Sequence, residues 1–262
     1  MKFITSKDNA TIRLAQKLKM KKYRDREGLF FIEGRRSVEE LVMSPEHIHT
    51  LFVQEGYEEQ DFIRSFGDQV CVLNEQLLNS IADTQNPQGF AAIAHQKKYD
   101  FQDMLDSSGF WVLLDRIADP GNLGSIIRSC WAFGVGGLLL TPQSVDPYNP
   151  KVVRSSMGGV LHLPIISEVD DEQVQSLQNH NWRFLCTDMQ AMTPYYEADL
   201  TGKTILVLGS EAEGVSNKLK KICWNSLKIP INPQVDSLNV AVACAIIVAE
   251  AARQRKGEYR LL

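Results

Sequence analysis

The chain has 262 residues, 44% of them hydrophobic and 23% charged, with a formal net charge of −4. That length holds two modest domains or one large one, and that composition excludes a disordered chain. The mild negative charge argues against a protein that coats nucleic acid over its whole surface, and no window of roughly 18 consecutive apolar residues offers a membrane span.

The opening segment, MKFITSKDNATIRLAQ, lacks an apolar core followed by a small-residue cleavage site, so a cytoplasmic protein is expected. The charge is uneven: residues 1–36 hold eleven Lys or Arg against four Asp or Glu, a local excess of seven that leaves the rest of the chain at −11. A polyanion would meet the N-terminal end first, although KLKMKKYRDR reads equally well as the solvated face of a helix. Cys71, Cys130, Cys186, Cys223 and Cys244 are scattered, mostly within apolar runs. With no Cys-x-x-Cys pair and no histidine at metal spacing, they read as buried reduced thiols, and no metal is expected.

In chain order, a helix is expected from the cap candidates Asp8 and Asn9 to about Lys22, with Ile12, Ala15 and Leu18 inward. Strands LFFIEG, HTLFVQ, QVCVLN and GFAAIAH then alternate with helices in RRSVEELVMS, EEQDFIRSF and EQLLNSIAD. This alternation predicts a small α/β domain over residues 1–95. Residues 96–108, QKKYDFQDMLDSS, are polar and mixed and read as a linker. A second α/β series over 109–262 has strands at 109–115, 137–141, 161–167, 182–188, 203–209 and 226–231. Near-continuous apolar runs of this kind belong to a parallel sheet covered on both faces. Helices are expected in NLGSIIRSCWAF, DDEQVQSLQNH and NVAVACAIIVAEAAR.

Ligands of such sheets bind in the loops beyond the strands' carboxyl ends. Three of these stretches stand out: DRIADPGNLGSIIR, GSEAEGVS and INPQVDSLN. GVGG at 134–137 precedes a strand instead of a helix, and neither a GxxxxGK[ST] loop, a GxSxG elbow nor an HExxH helix occurs, which removes the common dinucleotide, phosphate-loop and hydrolase readings. Considered alone, Asn122 after Pro120-Gly121 suits a helix cap, Ser237 suits the cap of the final helix, and Glu211 suits the start of a helix beside Gly209 and Gly214. Arg128 emerges from an apolar helix, where a lone charge needs a partner.

The order NLGSIIR, LVLGSEAEGVS, IPINPQVDSLNVAVA, each at a strand end, resembles the three motifs of the SpoU branch of the SPOUT RNA methyltransferases. The stretches SKDNATIRLAQKL and LFFIEGRRSVEELV resemble the ribosomal-protein-L30e-like substrate-binding domain of its ribosomal-RNA members. The resemblance implies an L30e-like α/β/α domain before an α/β-knot domain with a C-terminal trefoil knot. It implies a homodimer that uses S-adenosylmethionine to methylate a ribose 2'-hydroxyl of RNA, with 23S ribosomal RNA the expected substrate. Transfer RNA is the runner-up substrate, and a non-catalytic RNA-binding dimer the alternative of another class.

By resemblance, Asn122, Arg128, Glu211, Ser237 and Asn239 form the catalytic set. Arg128 serves either to help deprotonate the hydroxyl or to clamp a phosphate, and its permanent charge favours the clamp. Backbone at Gly209, Ile229 and Leu238 would hold the cofactor. Where family members often carry a glycine shortly after the Ile-Pro pair, this chain has Ile231-Asn232-Pro233-Gln234, which puts the contacts of that loop in question.

Overall fold

The apolar strands sort into two separate sheets in a computed structural model that describes residues 1–84, 87–210 and 213–255. The first set comprises β1 (Lys2–Ile4), α1 (Ala10–Lys17), α2 (Lys21–Glu27), β2 (Leu29–Glu33), α3 (Arg35–Val42), β3 (Ile48–Gln54), α4 (Asp61–Arg64), β4 (Val70–Leu73), α5 (Glu75–Ile81) and β5 (Phe90–His95). The rest of the chain runs α6 (Phe101–Asp106), β6 (Phe110–Asp115), α7 (Pro120–Ala132), β7 (Gly137–Leu140), α8 (Pro150–Ser155), β8 (Ile165–Ile166), α9 (Asp171–Asn179) and β9 (Arg183–Thr187). It ends with β10 (Thr193–Pro194), β11 (Thr204–Gly209), α10 (Asn217–Ile222), β12 (Asn225–Lys228) and α11 (Val240–Gln254).

Two compact units result, Met1–Lys97 with Asp146–Leu161, and Lys98–Val145 with His162–Leu262. The first unit is built on a mixed sheet of order β1-β4-β3-β5-β2, in which β5 runs antiparallel to both of its neighbours. The helix expected over 8–22 breaks at Leu18–Met20. The buried Arg24 donates from Nη1 to the carbonyls of Leu18 and Lys19, both at 2.9 Å, so the α1 C-terminus is satisfied by a side chain instead of by further helix. Its Nε and Nη2 reach Asp146 Oδ2 at 2.9 and 2.6 Å. That pair explains why 146–161, expected in the second domain, groups with the first unit. Glu33 does the same, accepting from Arg154 at 3.1 Å.

The second unit carries a seven-stranded sheet of order β10-β12-β9-β11-β6-β7-β8, parallel at every described pairing. Strands β6, β7 and β11 are buried along nearly their whole length, as their unbroken apolar runs predict. The expected linker is a correction: it contains α6, capped by Asp100 and anchored by the buried Met104 and Leu105, so it opens the second unit. The strand expected over 161–167 shrinks to Ile165–Ile166, because Gly159–Leu161 form a 3₁₀ turn. Short β1, α8, α10 and β10 carry too few periodic residues to be seen in the sequence. Among the described residues no helix is long and apolar enough to cross a membrane.

Candidate cofactor and active site

Chain order reverses at β6, which leads to β7 and β8 on one side and has β11 on the other. Open parallel sheets bind ligands beyond the strands' carboxyl ends, and in this sheet a cavity sits to one side of the switch point. This cavity of about 290 Å³ lies at the ends of β9, β11 and β12, closed by the segment that enters α11. Leu208, Leu227, Leu238 and Val240 give it apolar walls; Asp188, Lys220 and Ser237 give it polar ones.

Gly209, Ile229 and Leu238 all line this cavity, and so does Ser237. Gly209 is glycine for a steric reason. A Cβ there would stand 1.9 Å from the Gly214 carbonyl carbon and 2.1 Å from the Val215 nitrogen, both backbone atoms that cannot swing aside. The chain folds back on itself, with Ser210 bridged to Gly214 and Gly214 at φ +64°. Glu211 lies outside the described residues.

Two expected caps are corrected. Asp119, not Asn122, caps α7 by accepting from the Asn122 amide at 2.8 Å, which makes Asn122 the third helical residue. Asn239, not Ser237, caps α11, its Oδ1 accepting from Ala241 at 2.9 Å and Val242 at 3.4 Å. The two asparagine side chains also meet each other, Asn239 Nδ2 donating to Asn122 Oδ1 at 2.9 Å across 117 positions of sequence. Helices α7 and α11 pack against each other behind this bond, with the buried Cys130 and Cys244 sulfurs 4.0 Å apart. The five cysteines are free thiols, Cys223 half-buried and the others buried.

Arg128 is exposed, on a stripe of α7 with Ser125 and Ala132, and its side chain has no ion-pair partner among the described residues. Solvent, not a buried carboxylate, answers the expectation that it needs one. Six residues turn an ideal helix by about 600°, so Arg128 points about 120° away from Asn122 and about 9 Å along the axis.

The sequence reading missed Asp115, Arg116, Asp188 and Lys220. Asp115, at the end of β6 and nearly fully buried, accepts from the Ser216 amide at 2.7 Å and Arg116 Nε at 3.3 Å. Arg116, at φ +58°, also pairs with Glu213. Asp115 thereby ties the loop after β11 to the strand beside it; its signal was an acid ending the apolar run FWVLLD. Asp188 and Lys220 form an ion pair at 2.6 Å on the cavity wall. The hydrogen bond from Lys220, followed by one from the Gln190 amide, holds the Asp188 carboxyl below its ordinary pKa, and the same contact raises that of Lys220. Asn232 settles the departure in the third motif: its Oδ1 accepts from the Gln234 amide at 3.0 Å and its carbonyl from Val235 at 2.9 Å, so the side chain closes the turn.

A strand-end cavity on a parallel sheet, with apolar walls, a glycine hairpin and a polar rim, defines a site for a nucleotide-like cofactor. Residues 109–249 match the SpoU rRNA Methylase family and residues 9–92 the MRM3-like substrate binding domain; the chain belongs to the SpoU family of S-adenosylmethionine-dependent RNA methyltransferases. It is 32% identical over 248 residues to the 23S rRNA (guanosine(2553)-2'-O)-methyltransferase RlmP of Bacillus subtilis, covering 95% of this chain and 98% of the relative. To the 23S rRNA (uridine(2479)-2'-O)-methyltransferase of Streptomyces viridochromogenes it is 30% identical, covering 88% and 85%. The crystal structure of the AdoMet-bound rRNA methyltransferase from Sinorhizobium meliloti matches with a TM-score of 0.86 at 29% identity, over 97% and 98% of the two chains. The residues present fit that cofactor: the apolar walls suit a purine and the mixed rim suits its sugar and amino-acid ends. Among the described residues no cluster of three or more His, Cys, Asp or Glu is placed to hold a metal.

Proposed function

We propose that this protein methylates a ribose 2'-hydroxyl of 23S ribosomal RNA, acting as a homodimer whose 229–239 segment forms the cofactor-wrapping loop of a trefoil knot. The observation that carries this reading is the 2.9 Å bond from Asn239 to Asn122, which fastens the helix bearing Arg128 to the segment lining the cavity. The substrate class follows the named activities of the two relatives at 32% and 30% identity.

Bound S-adenosylmethionine supplies an electrophilic sulfonium methyl. The chain's own residues position and polarise. Backbone at Gly209, Ile229 and Leu238 would hold the adenine and methionine parts, while the exposed Ser237 hydroxyl sits on the rim where a ribose oxygen would approach. Arg128 stays protonated, so it clamps the phosphate beside the target ribose and leaves proton removal to another group. Glu211 joins the catalytic set on its motif position. Because Arg128 points away from Asn122, a second copy is the natural means of bringing the two functions to one RNA. The exposed Phe133 and Val242, on or beside α7 and α11, support an interface there.

The test is transfer of labelled methyl from S-adenosylmethionine into total ribosomal and transfer RNA, separated by size and digested with alkali. Alkali-resistant dinucleotides labelled in 23S RNA are expected. Label confined to transfer RNA, or labelled products fully cleaved by alkali, would overturn the reading.

A further inference from the structure

We infer that Asp188 is the acceptor for the ribose 2',3'-diol of the cofactor, held in position by Lys220. The assignment rests on the reading of the strand-end cavity as the cofactor site. Asp188 is the only carboxylate among the described residues lining that cavity. It follows directly on β9, between β11, which supplies Gly209, and β12, which supplies Leu227. Its own amide donates to the Leu227 carbonyl at 2.9 Å, so the group is anchored to the sheet instead of riding on a loop.

Both carboxylate oxygens are already aimed. Oδ1 accepts from the Gln190 amide at 2.9 Å, and Oδ2 from Lys220 Nζ at 2.6 Å. An ionised carboxylate has about four lone-pair directions, and these bonds use two. Two remain, one on each oxygen, which is what a vicinal diol with two hydroxyl donors requires. Neutral sugar hydroxyls bind an ionised acceptor more strongly than a neutral one, and Lys220 keeps this acceptor ionised. Dinucleotide-binding parallel sheets use an acidic side chain in the same way, to accept from a ribose hydroxyl. The apolar walls at Leu208, Leu227 and Val240 offer such hydroxyls no partner.

The experiment measures binding to the full chain by calorimetry, with S-adenosylhomocysteine, its 2'-deoxy and 3'-deoxy analogues, and 5'-methylthioadenosine, which lacks the amino-acid end. In the wild-type protein each deoxy analogue is expected to bind at least tenfold more weakly than the parent. In Asp188→Asn the parent is expected to weaken by a similar factor and the penalty for losing a hydroxyl to fall within twofold. Lys220→Met, which keeps the carboxylate, is expected to retain most of the discrimination. An equal deoxy penalty in wild type and Asp188→Asn would overturn the inference, because Asp188 would then be a structural ion-pair member only. A loss on Asp188→Asn that spares 5'-methylthioadenosine would also overturn it, by placing the carboxylate at the amino-acid end. Thermal unfolding checks that each variant is folded, and Asp188→Ser replaces Asp188→Asn if that variant is not. Failure of the wild-type protein to bind S-adenosylhomocysteine at all would instead sink the cofactor-site reading.

Discussion

The two units solve the same packing problem with different sheets. Each buries a central strand set between helices, with Phe31, Phe52 and Ile93 in one core and Leu113, Phe184 and Val207 in the other. In the first unit β5 runs against β2 and β3, so strand ends of both polarities lie along each edge. In the second every described pairing is parallel, so the loops after β6, β9, β11 and β12 emerge on one edge. Strand polarity alone therefore decides which unit can gather residues distant in sequence, such as Asp188, Gly209, Lys220 and Ser237, around one cavity. The first unit is left with surface for recognition, and the second with the edge where chemistry collects.

If that contrast holds, damage to the parallel edge should abolish ligand binding without unfolding the other unit. Gly209→Ala is expected to have the largest effect on cofactor binding. Its Cβ must displace the backbone of Gly214 and Val215, which line the cavity, and a loss of about 2.7 kcal/mol of contacts there corresponds to roughly 100-fold in affinity. Affinity for S-adenosylhomocysteine should fall by at least that factor; retained affinity would show that the hairpin does not shape the cavity. Arg128→Ala comes next and separates chemistry from binding on the same edge. Methyl transfer to RNA should drop by about 10²- to 10³-fold, the scale of losing one charge-stabilising donor. Affinity for S-adenosylhomocysteine should stay within twofold, because Arg128 is exposed and absent from the cavity wall.

The parallel edge was legible in the sequence to the extent that its loops carry local signals. Pro120-Gly121-Asn122, Gly209 with Gly214, and the polar stretch 232–239 all break apolar runs, and all fall at the site. Asp188 and Lys220 carried no such signal. They meet only because β9 lies between β11 and β12 in space, an order that a chain read from one end does not display. The unit boundary failed for the same reason: Arg24 and Asp146 are 122 positions apart, and nothing near either announces the other. The caps at Asp119 and Asn239 were misassigned by two or three residues, the usual scale of ambiguity when several cap-forming residues stand in a row.

The Arg24–Asp146 pair sharpens the contrast from the side of the first unit. Arg24 is 2% exposed and makes four hydrogen bonds, two to carboxylate and two to orphaned carbonyls. Removing one member of a buried pair strands the other, at about 3–5 kcal/mol. Arg24→Met should lower the denaturation midpoint accordingly and leave S-adenosylhomocysteine affinity in the surviving native protein unchanged. Arg24→Met combined with Asp146→Leu should recover part of the loss, since no buried charge remains. A simple sum of the two single effects would instead mean that Arg24 acts mainly through the Leu18 and Lys19 carbonyls.

The smallest expected effect lies on the second unit, at Asp199, which braces the turn before β11 from its exposed side. Hydrogen bonds from the Thr201 side chain, then from Arg183 and the Thr201 amide, pull its carboxyl pKa down to about 2 from an ordinary 3.8. A depressed folded-state pKa means that the carboxylate stabilises the native state above the ordinary value and loses that contribution as pH falls toward about 2. The side chain is 52% exposed, so solvent screening keeps the contribution below about 1 kcal/mol. Asp199→Asn should therefore unfold slightly earlier than the wild type in urea at pH 7, and the two midpoints should converge between pH 4 and pH 2. Because Asp199 lies on the turn preceding the amino end of β11, opposite the cavity, S-adenosylhomocysteine affinity at pH 7 should not change. A variant that lost affinity there would show that the two ends of the parallel sheet are coupled, and strand polarity would then be too simple an account of where this molecule keeps its chemistry.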